Sequence, residues 1–218
     1  MYWGCLYMSN LLNQLNSLKN NLDNLPTLNL SDLQLNKTEL FIVDINNGFA
    51  KEGNMYSSRV NNLINPIVNF TKSISKDIKS IIAFTDYHTD ESVELLNYPT
   101  HCLKDTIECE IVDELKSIDN IKIVKKNSTN GFFALSNLDF NNTDNIIIIG
   151  DCTDICVYQL AITLKSYFNQ NNISKNIIVP INLVDTYHVD NVHPAELLNI
   201  VFFNSMIQNG IKVVKEII

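Results

Sequence analysis

Six short apolar runs punctuate the chain. They are "ELFIVDI" from Glu39, "KSIIAFTD" from Lys79, "NIKIVKK" from Asn120, "NIIIIGD" from Asn145, "NIIVPINLV" from Asn176 and "IKVVKEI" from Ile211. Most lack a polar face, as strands buried on both sides do. Between them apolar residues recur at helical spacing. Val60, Leu63, Ile64, Ile67, Val68 and Ile74 predict a helix over 57–75, and a second is expected at about 106–117. A third runs from the fourth strand to about residue 169, with Thr153 or Asp154 as its N-cap. A fourth, within "HPAELLNIVFFNSMIQNG", ends at Gly210 as a C′ residue. Ahead of the first strand, Leu11, Leu12, Leu15, Leu18 and Leu22 share one face of a helix that ends before Pro26. The expected fold is α/β: a single domain over residues 39–218, with a six-stranded, mostly parallel sheet covered by helices on both faces. An N-terminal helical extension over residues 1–38 precedes it.

Ligands of such sheets bind beyond the carboxyl ends of the strands, near a topological switch point. The first strand ends at Asp44, the second at Asp86 with His88 beyond it, and the third at Lys125 and Lys126. The fourth leads to Cys156 on the first turn of its helix. A helix N-terminus and a nearby cation both favour a thiolate. An aspartate can take the thiol proton and later deliver it to a leaving amine. Backbone N–H groups at the helix start can hold an oxyanion. Together these groups suit amide hydrolysis by a cysteine nucleophile. Singly each has a plainer reading: an Asp at a strand end as a turn or cap residue, a Lys as a solvated charge, a Cys as a small core residue.

The segment "TDYHTDESVELLNYPTHC" holds Asp86, His88, Glu94 and His101, including two of the chain's four histidines. Two imidazoles and two carboxylates suit Zn, Fe or Mn, although polar loops also collect such residues. His188 and His193 are expected in a loop and a helix start, away from the site.

Charge narrows the partners. The net charge is −8 and the only arginine is Arg59, so no basic face is expected for nucleic acid. No apolar run approaches the roughly 18–20 residues of a membrane span. The start, "MYWGCLYM", has neither a basic region nor a cleavage site, so it does not read as a secretory signal; Met8 is an alternative start. Five cysteines, Cys5, Cys102, Cys109, Cys152 and Cys156, are expected as reduced thiols in the cytoplasm. Cys152 and Cys156 form C-x-x-x-C, not the C-x-x-C of thioredoxin-like redox pairs.

Three segments resemble the isochorismatase-like cysteine hydrolases, and among them the nicotinamidases. "LFIVDINNGFAKEG" is similar to the family's opening strand and loop. "KNSTNGFFA" is similar to its lysine segment, with Phe132 six residues after Lys126. "GDCTDICV" matches the nucleophile motif G-x-x-T-x-x-C-V. The resemblance spans residues 39–218. It implies Cys156 as nucleophile, Asp44 as general base and acid, and Lys126 as the stabilising cation. It also implies a cis peptide between Asp151 and Cys152, and an oxyanion hole from the backbone of Cys152 and Cys156. Asp86, His88, Glu94 and His101 fall on the nicotinamidase metal positions, where a divalent metal meets the pyridine nitrogen of nicotinamide. Phe49 and Tyr98 fall on pocket positions, and a homo-oligomer is implied. Two positions depart from the pattern: Asn46 replaces a Gln and Asp105 a Gly. They keep open a hydrolase of another small amide or carbamoyl compound. A non-catalytic small-molecule-binding protein on the same fold is the alternative from a different class.

Overall fold

The computed structural model describes residues 2–136 and 138–218, the first seven of them as backbone only. Seven strands form one sheet in which every strand pairing is parallel. They are β1 (Thr38–Val43), β2 (Ser80–Asp86), β3 (Ile121–Lys126), β4 (Asn145–Asp151), β5 (Asn176–Pro180), β6 (Val184–Asp185) and β7 (Lys212–Val214). The order across the sheet is β3-β2-β1-β4-β5-β7, and the two-residue β6 pairs with the end of β4. The chain winds outward from β1 to β3, then returns to lay β4 on the other side of β1. The crevice between β1 and β4 is therefore the topological switch point.

Burial on both faces explains the apolar runs. Leu40 and Ile42 of β1, with Ile147 and Ile149 of β4, belong to one core, while Phe41, Val43, Ile146 and Ile148 belong to the other. The first core is closed by α3 (Ser58–Ile74), through the apolar stripe expected over 57–75. The second is closed by α5 (Cys156–Gln170) and α6 (Ala195–Gln208). α6 is apolar around much of its circumference because α1 (Tyr2–Asp23) packs on it. Asn204 Nδ2 of α6 donates to the Leu18 carbonyl of α1 at 3.2 Å. Beyond α1, Leu28 N–H donates to Glu216 O at 2.9 Å and Ile218 N–H to Leu28 O at 3.0 Å. No helix among the described residues is long and apolar enough to cross a membrane.

Four local expectations change. The sheet has a seventh strand: Pro180 closes β5, a 3-10 turn at Ile181–Leu183 steps the chain across, and β6 re-pairs with β4. The helix expected at about 106–117 is reduced to a 3-10 turn at Ile107–Cys109 and the single turn α4 (Asp113–Lys116). Tertiary hydrogen bonds win there. Asn47 N–H donates to Glu110 O at 2.9 Å and Val112 N–H to Ile45 O at 3.1 Å, which holds residues 110–112 extended. The loop after β1 itself contains a helical turn, α2 (Asn47–Ala50). Neither Thr153 nor Asp154 caps α5. Ile155 is the N-cap residue and no side chain closes the end. The Asp154 carboxylate is engaged instead by Thr186 Oγ1 at 2.6 Å and His193 Nε2 at 2.8 Å.

Candidate active site

The ends of four neighbouring strands meet at the switch point. Asp44 follows β1 with φ 53°, a left-handed conformation that aspartate tolerates better than most residues. Its N–H still bonds Phe84 O at 3.1 Å, so the ladder aims it. Asp86 and Lys126 close β2 and β3 as directly paired residues. Lys126 Nζ contacts Asp86 Oδ1, stands 2.9 Å from Asp44 Oδ2 and 4.0 Å from Cys156 Sγ. All four side chains are buried. Neither oxygen of Asp44 has an aligned hydrogen-bond donor, which leaves the carboxylate able to accept a proton.

Gly150, at φ +118°, admits the turn from β4 into α5. A Cβ there would meet Val43 O at 2.1 Å, so only glycine lets β4 lie this close to β1. The Asp151–Cys152 peptide is cis. Thr153 N–H donates to Asp185 O at 3.0 Å and ties the turn to β6. Among the described residues, the N–H groups of Cys152 and Cys156 donate to no protein acceptor. The Cys156 N–H opens α5, where unpaired N–H groups favour an anion.

Asp86, His88, Glu94 and His101 bring ligand atoms within 4.8 Å of one another. Asp86 Oδ2 lies 3.5 Å from His88 Nε2 and 3.4 Å from His101 Nε2, and Glu94 Oε1 is 3.7 Å from His88 Nε2. The loop closes because His88 N–H donates to Cys102 O at 3.0 Å and Lys104 N–H to His88 O at 2.7 Å. Each imidazole is oriented from behind: His88 Nδ1 meets Asn127 Oδ1 at 2.9 Å and His101 Nδ1 meets Pro99 O at 2.7 Å. Both acceptors place the ring proton on Nδ1 and leave Nε2 as a lone-pair donor. His88 Nε2 is buried without a hydrogen-bond partner. Two imidazoles and two carboxylates around an orphaned ring nitrogen fit a divalent metal ion.

Asp44, Cys156 and three of the metal-type ligands, Asp86, Glu94 and His101, share one small cavity, which Phe49 and Tyr98 also line. The isochorismatase domain family matches residues 38–208. This chain belongs to the isochorismatase family. Within it the chain resembles the nicotinamidases. Nicotinamidase 1 of Arabidopsis thaliana is 28% identical, over 82% of this chain and 85% of that protein. Two solved structures share the fold. Yeast nicotinamidase matches with a TM-score of 0.67 at 20% identity, covering 82% of this chain and 99% of that one. A pyrazinamidase of Pyrococcus horikoshii in complex with zinc gives 0.64 at 18%, covering 82% and 99%.

Burial dominates the electrostatics of the site. It pushes the Asp44 carboxyl up to about 7, against the pull of Lys126. Burial also works to raise Asp86, but Lys126 and the two imidazoles outweigh it and hold this carboxyl well below the usual range. Burial opposes the Lys126 ammonium, yet Asp44 and Asp86 keep it charged far above its ordinary value. The Cys156 thiol is pushed well up by burial, with Lys126 offsetting only part of this. Burial therefore outweighs the pull of the helix end and the cation toward thiolate and favours the thiol, which becomes nucleophilic as its proton leaves.

The cavity also holds residues that sequence reasoning passed over, among them Met55, Thr129, Asp151 and Tyr187. Tyr187 lies far along the chain in a loop without an apolar period, so nothing local flags it. His193 lies just ahead of α6, as expected, yet its ring stacks on Tyr187 with centroids 3.7 Å apart. The two departures from the family pattern lie outside the cavity lining. Asn46 Nδ2 points at Asp86 O and Cys102 Sγ. Asp105 takes φ 61°, the conformation a glycine would supply, and accepts from Tyr87 Oη at 3.1 Å. The cavity is small, about 30 Å³. Met55, Tyr98 and Tyr187 line both this cavity and an adjoining outer cleft.

Proposed function

We propose that this hydrolase converts nicotinamide and water to nicotinate and ammonia with a divalent metal resident at Asp86, His88, Glu94 and His101. One observation carries the reading: Asp44, Cys156 and three of those four ligands line a single cavity, with Lys126 buried behind it. Cys156 Sγ attacks the carboxamide carbon as its proton passes to Asp44. The N–H groups of Cys152 and Cys156 hold the developing oxyanion. Collapse expels ammonia, protonated by Asp44, and leaves a thioester. Asp44 then draws a proton from water, which hydrolyses the thioester and frees the thiol. Lys126 keeps its charge throughout and stabilises the anionic forms of Asp44 and Cys156. Phe49 and Tyr98 wall the aromatic ring. When bound, a metal supplies a Lewis acid for the ring nitrogen of the substrate.

The position of Asn46 and Asp105 off the cavity wall supports nicotinamide over another small amide or carbamoyl compound. The proposal includes a hydrolase domain over 39–218 with residues 1–38 as an extension, assembly into a homo-oligomer, and a cytoplasmic setting. The setting fits the four described cysteines, which are free and buried. The test is ammonia release from nicotinamide by purified protein whose metal content is measured, beside a panel of other small amides. No release with metal bound, or a higher kcat/KM on another amide, overturns the assignment.

A further inference from the structure

Asp151, the last residue of β4, is 2% exposed and lines the cavity. Its Oδ1 is sealed from solvent and has no hydrogen-bond partner. The adjoining Cys152 thiol bears on this carboxyl, and the carboxylates that act on it, Asp44, Asp185 and Asp154, are differently placed. Asp44 faces Lys126, and Asp154 is held by Thr186 and His193. Asp185 Oδ1 accepts from Arg59 Nη2 and Asn199 Nδ2, each at 2.8 Å. Arg59 is the chain's sole arginine, and it is engaged by Asp185 and Glu196. Among the described residues no cation is paired with Asp151. A buried carboxyl oxygen without a donor costs stability, and an apolar residue would occupy this wall without that cost. The missing partner therefore comes from outside the chain, at the wall of the cavity where the substrate reacts.

We propose that Asp151 grips the primary carboxamide of the substrate and sets the preference for a carboxamide over an ester. This rests on the amidase reading above. Burial, opposed in part by the Cys152 thiol and reinforced by the neighbouring carboxylates, holds the Asp151 carboxyl well above the usual range and favours its neutral form. A neutral carboxyl offers one O–H donor beside one C=O acceptor. A primary carboxamide offers the complementary pair, its C=O and its N–H, so two parallel hydrogen bonds can close a ring. An ester has no N–H to complete it. Asp151 also precedes Cys152, whose N–H is assigned to the carbonyl oxygen, so the reacting group lies beside it. A site built to bond a substrate N–H rejects an analogue that lacks it, because its own polar group is left unpaired.

Two variants test this in the metal-loaded enzyme. Asp151→Leu keeps the branched shape without polar atoms, and Asp151→Asn keeps one donor and one acceptor. The measurements are kcat/KM on nicotinamide, kcat/KM on methyl nicotinate, and Tm. Asp151→Leu is expected to lose roughly 30-fold on the amide and under about threefold on the ester, lowering their ratio about tenfold. Its Tm rises, because the orphaned polar group is gone. Asp151→Asn stays within about fivefold of the parent on the amide. An unchanged amide-to-ester ratio in Asp151→Leu overturns the proposal. So does Asp151→Asn falling as far as Asp151→Leu, or Asp151→Leu losing Tm and both activities alike. Failure of the parent enzyme on nicotinamide sinks the substrate assignment rather than this contact. The ratio is then read on the carboxamide that the enzyme does hydrolyse, against its ester.

Discussion

Replacing Lys126 with methionine keeps much of the side-chain volume and removes the ammonium between two buried carboxylates. At the 2.9 Å separation from Asp44 Oδ2, the attraction is about 6 kcal/mol at an effective dielectric constant near 20. The net loss is smaller. Desolvation of the ammonium already opposes the pair, and Asp44 escapes part of the penalty by taking up a proton. Breaking a buried pair typically costs about 3–5 kcal/mol. For a chain of this size that lowers Tm by roughly 6–20 °C, readable by calorimetry. The activity change has a definite sign. The Asp44 carboxyl sits at about 7 with Lys126 pulling it down, so removing Lys126 raises it further. Asp44 must be ionised to take the thiol proton. The parent's kcat/KM therefore rises with pH through about 7, and in Lys126→Met this limb moves to higher pH. At pH 7.5 the variant loses about 100- to 1,000-fold in ammonia release, from the protonated base and the lost charge stabilisation together. A variant with the parent's Tm and a rising limb still near neutrality would refute the electrostatic argument.

The two thiols of the nucleophile turn should separate cleanly: Cys156→Ser abolishes ammonia release and Cys152→Ser keeps it within a few-fold, whereas equal losses would revive a redox pair. Iodoacetamide should label Cys156 first and inactivate in step with labelling. Asn127→Ala frees His88 Nδ1 from its 2.9 Å contact, and metal affinity should fall about 10- to 100-fold in chelator competition. Unchanged affinity would mean that Asn127 does not orient the ligand.

Much of the architecture could be read from the chain because the signals are local. Ile146 to Ile149 form a strand buried on both faces, and the same pattern marks β1, β2 and β5. A mostly parallel sheet then follows from alternation with helices, whereas the place of β1 between β2 and β4 is read only from the fold. Asp44, Asp86, Lys126 and Cys156 were legible because their types stand at strand ends, and the structure brings them together at the switch point. Tertiary contacts decided the rest. The segment 106–117 has helical composition, but the backbone of Ile45 and Asn47 takes its hydrogen bonds. β6 exists only because β4 leaves an edge for Val184 and Asp185. The thiol of Cys156 is raised rather than lowered because depth of burial, which composition does not reveal, outweighs a lysine and a helix end. Asp151 looks like an ordinary strand-end acid in "NIIIIGD". Its isolation follows from Arg59, Lys126, Thr186 and His193 each being engaged elsewhere. Side-chain type and short-range period are carried by the sequence itself. Whether a charge finds a partner depends on groups distant in sequence that share one space, and only the folded chain brings them there.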